Sequence, residues 1–340
     1  MIWIRADANE EIGSGHIMRC LSIAAALKER EEEVCFLIAD DGAVRLLREK
    51  GQAYHILHTP YDRMEEEPEK LRALFAVQQP RLLLLDSYFV TPDYLNRLGK
   101  FVKIVYMDDI PRFPYPVNMI INYNIYGDCL PYREQAPKGQ KHLLGASYAP
   151  LREQFCHIEY TVREEVEQVL LTTGGSDKYH LAGQILEAVL DNKETGGFCY
   201  HVVSGAYNPH LSRLEELAAA NPNIHIHRNV SDMAALMKAC DIAISAGGST
   251  MYELCAVGVP ALCFSFVDNQ EQIVETFVEK DMVAYGGNYR KEGPAFAGHV
   301  ADALAALAQD RELRARYSRK ARHLVDGNGA ARIADALLTL

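Results

Sequence analysis

Arg5-Ala-Asp-Ala-Asn-Glu-Glu-Ile-Gly-Ser-Gly-His-Ile-Met-Arg-Cys-Leu21 joins a short apolar run to a stretch of helical periodicity, and its reading decides the fold. Met1 to Arg5 reads as a strand. Ile17, Leu21, Ala24, Ala25 and Leu27 recur at helical spacing, so Gly13-Ser14-Gly15 must turn a strand into a helix. Glycines there admit φ > 0 and close backbone approach, and the first turn of the helix leaves amide N–H groups free at the positive end of its dipole. Such a turn can hold an anion. His16 begins the helix, at the mouth of the crevice that forms beyond the carboxyl ends of parallel strands. Taken alone, a histidine after a Gly-x-Gly turn is more often a cap or a packed side chain than a catalyst. A dinucleotide fingerprint is disfavoured. It needs a small residue where Met18 stands, although Asp40 and Asp41 lie at about the spacing of a ribose-binding acid.

Outward from this turn the βα alternation continues. Residues 34–39, 53–57, 81–86 and 101–107 read as strands, with helices over 42–50 and 65–78 and a short one before Phe101. The last two strands end in Asp86-Ser87-Tyr88 and Asp108-Asp109, which in a parallel sheet line the ligand crevice. Asp86 and Asp109 are equally suited to cap the next segment through an Asx turn. Residues 110–160, rich in proline and tyrosine, break the pattern, and here the chain leaves one domain for another. A second series begins at Val166, with strands over 166–172, 199–204, 224–226, 242–245 and 261–264. Two further glycine loops, Thr172-Thr-Gly-Gly-Ser-Asp177 and Ser245-Ala-Gly-Gly-Ser-Thr250, each lead from a strand into a helix. Two parallel α/β domains follow, 1–155 and 156–325, with the three glycine turns facing one cleft and a terminal helix in 326–340.

Composition narrows the function classes. The chain has 340 residues, 49% hydrophobic and 24% charged, enough for two folded domains. Its net charge of −11, with no basic stripe, argues against a nucleic-acid binder. An anionic substrate would have to be held locally, by helix N-termini and placed side chains. The eight cysteines are dispersed without a Cys-x-x-Cys pair and read as small buried hydrophobes of a reducing compartment. No signal-peptide design and no membrane-length apolar run is present, so a cytoplasmic protein is expected. His225 with His227, and His55 with His58, lack a third ligand nearby, so no metal is expected. Gly-x-Ser-x-Gly is absent, so no serine triad is indicated.

Ser245-Ala-Gly-Gly-Ser-Thr-Met-Tyr-Glu-Leu-Cys-Ala-Val-Gly-Val-Pro260, followed by Asp268-Asn-Gln270, resembles the nucleotide half of the two-domain GT-B glycosyltransferases, including the enzyme that adds N-acetylglucosamine in murein synthesis. Gly247, Gly248 and Ser249 would donate to a diphosphate, Glu253 would accept from ribose hydroxyls, and Asn269 with Gln270 could reach the phosphates or the sugar. The amino-terminal phrase resembles the UDP-sugar hydrolase family of pseudaminic acid biosynthesis, which cleaves UDP-2,4-diacetamido-2,4,6-trideoxy-β-L-altrose, and the related spore coat polysaccharide biosynthesis proteins. Leu85-Asp-Ser-Tyr88, Asp108-Asp109, Asn122-Tyr-Asn124, Gly145-x-x-Tyr148-x-x-Leu-Arg152 and Thr173-Gly-Gly-Ser-Asp177 fall in the same order.

The resemblance implies a GT-B-like pair of Rossmann-like domains, with the last helix crossing back onto the first. It implies His16 as general base with Tyr88 beside it. Gly13, Gly15, Asp86, Asp108, Asn122, Gly174, Gly175 and Ser176 would bind substrate with the second-domain residues just named. The expected reaction is attack of water on the anomeric carbon with inversion, without metal or cofactor. A neutral imidazole is required, which a helix N-terminus favours. The alternative is a glycosyltransferase using a UDP-sugar donor, marked by an apolar or basic surface near the first-domain loops. A UDP-sugar is the expected partner, with no nucleic acid or membrane, and a monomer or weak dimer is expected.

Overall fold

The computed structural model describes residues 1–9, 11–175, 177–205 and 208–340. The chain forms two compact units. One comprises Met1–Arg152 with Asn328–Leu340, the other Glu153–Gly327.

The first unit is a seven-stranded, wholly parallel sheet of β1 (Ile2–Ala6), β2 (Val34–Ile38), β3 (Ala53–Ile56), β4 (Leu82–Asp86), β5 (Lys103–Met107), β6 (Met119–Asn122) and β7 (Lys141–Leu144), in the order 3-2-1-4-5-6-7. Its strand composition explains the layering. Leu82, Leu83, Leu84 and Leu85 point alternately to opposite faces, and all four are fully buried because helices cover both sides. β6 and β7 lie inside the stretch read as an inter-domain break. There Asn118 Oδ1 accepts from Ile104 N at 2.8 Å, so a turn residue joins the strand to the sheet and hides the apolar run behind polar flanks.

β1 is central rather than an edge. It pairs with β2 and with β4, so the strand order reverses between β1 and β4. This is the switch point where α/β sheets bind ligands. The second unit repeats the plan with β8 (Gln168–Thr172), β9 (Cys199–Ser204), β10 (Ile224–Arg228), β11 (Ile242–Ala246), β12 (Ala261–Ser265) and β13 (Ala284–Asn288), ordered 10-9-8-11-12-13. Its switch point lies between β8 and β11. β13 escapes the sequence reading because Gly286 and Gly287 interrupt its apolar pattern.

The terminal helix Gly329–Leu338 packs on helix Gly15–Lys28 of the first unit. Ile333 and Leu337, one turn apart, are fully buried, contributing about 1.5–3 kcal/mol each. Arg30 reaches across to Asp335 at 2.6 Å.

A buried ion cluster braces β1. Arg5 donates through Nε and Nη2 to Glu67, at 3.0–3.1 and 2.6 Å, and through Nη1 to Asp7 at 2.5 Å. Tyr94 also donates to Glu67, at 2.9 Å, and Ala39 N donates to Asp7 at 2.7 Å. Burial works against the Arg5 charge, but Glu67 and Asp7 prevail and hold its pKa above the ordinary value. The Arg5-Ala-Asp7 phrase is thus a tie between β1, β2 and the helix Pro68–Gln78.

Candidate active site

The site in the first unit grows from the turn after β1. Asn9 Oδ1 accepts from the amides of Glu11 and Ile12 at 3.0 and 2.9 Å, and Gly13 N returns to Asn9 O at 2.9 Å. Gly13 has φ +70°, a left-handed conformation that favours glycine. Gly15 has no such need. A Cβ there would meet nothing within 4 Å, so no protein contact demands glycine. The helix begins at Gly15, and Ser14 makes no side-chain capping bond.

This start places His16 and Arg19 on one helix face, three residues apart, against the ends of β4 and β5. His16 Nδ1 lies 2.6 Å from Asp86 Oδ1. Arg19 grips the same carboxylate with Nε on Oδ2 at 2.6 Å and Nη2 on Oδ1 at 2.5 Å. Its Nη1 meets both oxygens of Asp109 at 3.1–3.2 Å and Tyr123 Oη at 3.0 Å. Tyr88 donates its hydroxyl to Asp109 at 2.7 Å, and its ring meets His16 edge-on with centroids 4.8 Å apart.

Charge decides the tautomer. Burial opposes ionisation of Asp86, but Arg19 and His16 outweigh it and hold the carboxyl well below the ordinary range. An ionised carboxylate only accepts, so His16 Nδ1 carries the proton that faces it. Arg19 Nη2, at 3.3 Å from Nδ1, is a donor too, and the two share Asp86 Oδ1. Among the described residues nothing hydrogen-bonds Nε2, leaving that nitrogen able to accept a proton. Burial, then Asp109, raises the Tyr88 pKa, so its phenol stays a neutral donor.

Asp86 therefore anchors the site and does not cap the next segment. Asp108 and Asn122, both expected to bind substrate, are engaged with other residues of the chain. Asp108 is buried, accepting from Tyr132 Oη at 2.6 Å and from Ile110 N at 3.3 Å in an Asx turn. Asn122 is fully buried, with Nδ2 on Tyr132 Oη at 2.9 Å and Oδ1 taken by Asn124 N at 2.9 Å. Both belong to a second hydrogen-bonded network centred on Tyr132. Burial pushes the Asp108 pKa up against the bonds from Tyr132 and Ile110. Arg19 and Tyr123 escape a reading by residue type: Arg19 stands in a helix whose period is marked by apolar positions, and Tyr123 follows β6 inside the Asn122-Tyr-Asn124 phrase, where its partner 104 residues away is not visible.

In the second unit, Gly174 and Gly175 follow β8, and Gly247, Gly248 and Ser249 follow β11, at the switch point of that sheet. Ser176 lies outside the described residues. Gly174, Gly175 and Gly248 have open space where a Cβ would stand, while Gly247 is packed so that a Cβ would come within 2.6 Å of Val274 and 3.1 Å of Gln270 O. Glu253 is half-buried in the first turn of helix Thr250–Val257. Asn269 is exposed at the start of helix Asp268–Glu279, and Gln270 Oε1 accepts from Phe266 N at 3.1 Å, fixing the loop before it.

A cavity of about 490 Å³ at the end of β10, lined by residues including His227, Asn229, Val230 and Asp232, holds none of the expected residues. His227 Nε2 meets His201 Nδ1 at 2.9 Å and His225 stacks on His201, so these histidines pair with one another. Among the described residues no three His, Cys, Asp or Glu side chains form a metal site, and no helix is long and apolar enough to cross a membrane.

Residues 169–290 match the glycosyltransferase family 28 C-terminal domain. The chain is 25% identical to the spore coat polysaccharide biosynthesis protein SpsG of Bacillus subtilis, over 100% of this chain and 98% of that one. It is 26% identical to the UDP-2,4-diacetamido-2,4,6-trideoxy-beta-L-altropyranose hydrolase of Campylobacter jejuni, over 82% of this chain and 96% of that one. The chain is thus similar along its length to proteins of these two names. Its fold is that of the GT-B glycosyltransferases: the structure of Acinetobacter baumannii MurG superposes with a TM-score of 0.71 at 13% identity, covering 100% of this chain and 99% of that one. These relatives are proteins of sugar biosynthesis, and the chain is an enzyme with a glycosyltransferase-like fold.

Proposed function

We propose that the protein hydrolyses a UDP-linked acetamido-deoxy sugar at its anomeric carbon, releasing UDP and the free sugar with inversion. The observation that carries this reading is the His16–Asp86 bond, which leaves Nε2 as the proton-accepting nitrogen at a sheet switch point. Water loses a proton to Nε2 as its oxygen bonds to the anomeric carbon. The bond from that carbon to the diphosphate breaks, and its electron pair leaves on UDP. The diphosphate is a good leaving group, so no acid need protonate it, and donors of the Gly247-Gly248-Ser249 loop stabilise the charge. Glu253 accepts from the ribose, with Asn269, Gln270, Gly174 and Gly175 completing the nucleotide site in the second unit. The relatives support a role in making a nonulosonic acid or a spore coat polysaccharide.

Incubation with a panel of UDP-amino-sugars in oxygen-18 water tests this. Free UDP should appear with the label on the sugar alone. Label in UDP would mean attack at phosphorus, and no UDP release from any member of the panel would reject hydrolysis.

One observation favours transfer to an acceptor instead. Ile110, next to Asp109, is 53% exposed and Tyr88 is 39% exposed, an apolar rim such as a lipid-linked acceptor would meet. UDP release that depends on an added lipid-linked sugar would select that reading.

A further inference from the structure

We propose that Arg19 is the positioning residue of the base, its guanidinium gripping Asp86 on one edge and Asp109 on the other so that the ring of His16 and the phenol of Tyr88 are fixed together. The proposal rests on the reading of His16 as general base.

Three observations carry it. The first is geometric. Nε and Nη2 form two parallel bonds to Asp86, at 2.6 and 2.5 Å, the fork arrangement that only arginine makes. The other edge reaches Asp109, which holds Tyr88. A single side chain therefore holds the two carboxylates that meet the His16 ring and the Tyr88 phenol.

The second is charge. Asp86 and Asp109 carry two negative charges, and Arg19 is the one arginine or lysine hydrogen-bonded to them among the described residues. With a neutral imidazole the cluster is one charge negative; when His16 takes a proton it becomes neutral. Without Arg19, the carboxylates that meet His16 and Tyr88 would lose the cation that joins them.

The third is burial. Arg19 has a side chain 11% exposed and Asp86 none of it exposed, so solvent does little to screen the pair. Tyr123 adds a further contact, with its ring centroid 5.5 Å from the central carbon of the guanidinium and its hydroxyl 3.0 Å from Nη1.

The test uses Arg19→Met and Arg19→Lys in the full chain, with His16→Gln alongside. Turnover is followed on the UDP-sugar that the wild type hydrolyses, UDP affinity by calorimetry, and the His16 tautomer by nitrogen-15 NMR at pH 7. Arg19→Met should lower kcat by about 10² or more while leaving the Kd for UDP within about twofold, and the resonance of the fixed Nδ1–H tautomer should be lost. Arg19→Lys keeps the charge without the fork, so it should recover less than about a tenth of the wild-type rate. Wild-type kcat or an unchanged tautomer in Arg19→Met would overturn the proposal. If Arg19→Met does not fold, Arg19→Lys carries the same test, and an unchanged rate and spectrum there overturn it. An inactive His16→Gln beside an unimpaired Arg19 variant removes the role of Arg19 alone. A fully active His16→Gln removes the base, and the proposal with it.

Discussion

Asp86→Asn strikes the site at the residue on which its geometry turns. The carboxylate receives His16 Nδ1 and Arg19 Nη2 on Oδ1 and Arg19 Nε on Oδ2. An asparagine has one acceptor oxygen. If its amide nitrogen replaces Oδ2, that nitrogen faces the Nε–H of Arg19. If it replaces Oδ1, it faces Arg19 Nη2 and can bond His16 only by reversing the tautomer, which moves the ring proton to Nε2. Breaking one side of a buried ion pair costs about 3–5 kcal/mol, and because Arg19 keeps Asp109 the loss here should sit near 3 kcal/mol. An imidazole in the wrong tautomer costs on the order of 10³ to 10⁴ in rate.

Urea unfolding of both proteins, with kcat on the active UDP-sugar, measures both quantities. The midpoint should fall with an unchanged m-value. The pH dependence follows from the depressed folded pKa of Asp86. Its stabilisation is fully present above the unfolded value of about 3.9 and is lost as pH falls through the folded one. The gap between wild type and variant should therefore hold from pH 7 down to about 4 and narrow below that. A gap that stays constant down to pH 3, or a variant with native kcat, would refute the assignment of Asp86 as an ionised anchor of His16.

Three other outcomes are expected. His16→Gln keeps a hydrogen-bonding side chain but cannot act as base, so steady-state kinetics should show kcat reduced by about 10² to 10⁴ with the thermal midpoint little changed. Glu253→Ala should weaken UDP by about 1–3 kcal/mol in calorimetry, and unchanged affinity would remove the second unit's loop from nucleotide binding. Glu67→Gln strips the buried partner of Arg5 and should lower stability by about 3–5 kcal/mol in chemical denaturation. Isolated second unit should not be needed for that effect, since every bond in the cluster lies in the first.

The parallel architecture was legible because its signals are local. Apolar runs such as 82–85 end in polar residues, and each glycine turn lies next to a helical period, so strand ends and helix starts can be placed without knowing the fold. β6, β7 and β13 were illegible for the opposite reason. Their apolar runs are short, flanked by proline and asparagine or interrupted by Gly286 and Gly287, and they become strands only because a neighbouring strand supplies the hydrogen bonds.

The same distinction runs through the site. His16, Asp86 and Tyr88 could be picked out by type and position at the ends of β1 and β4. What each does depends on partners far away in the chain. Arg19 meets Asp86 across 67 residues and Asp109 across 90, and Asp108 is drawn to Tyr132 although it adjoins Asp109 in sequence. Adjacent carboxylates thus take opposite parts. β5 is buried where it ends, and the two acids that follow it turn toward different neighbours: Asp109 is claimed by a guanidinium, whereas Asp108 meets only neutral donors and burial pushes its pKa up. Residue type marks where ionisable groups stand, but the identity of the nearest cation determines which of them the chemistry can use.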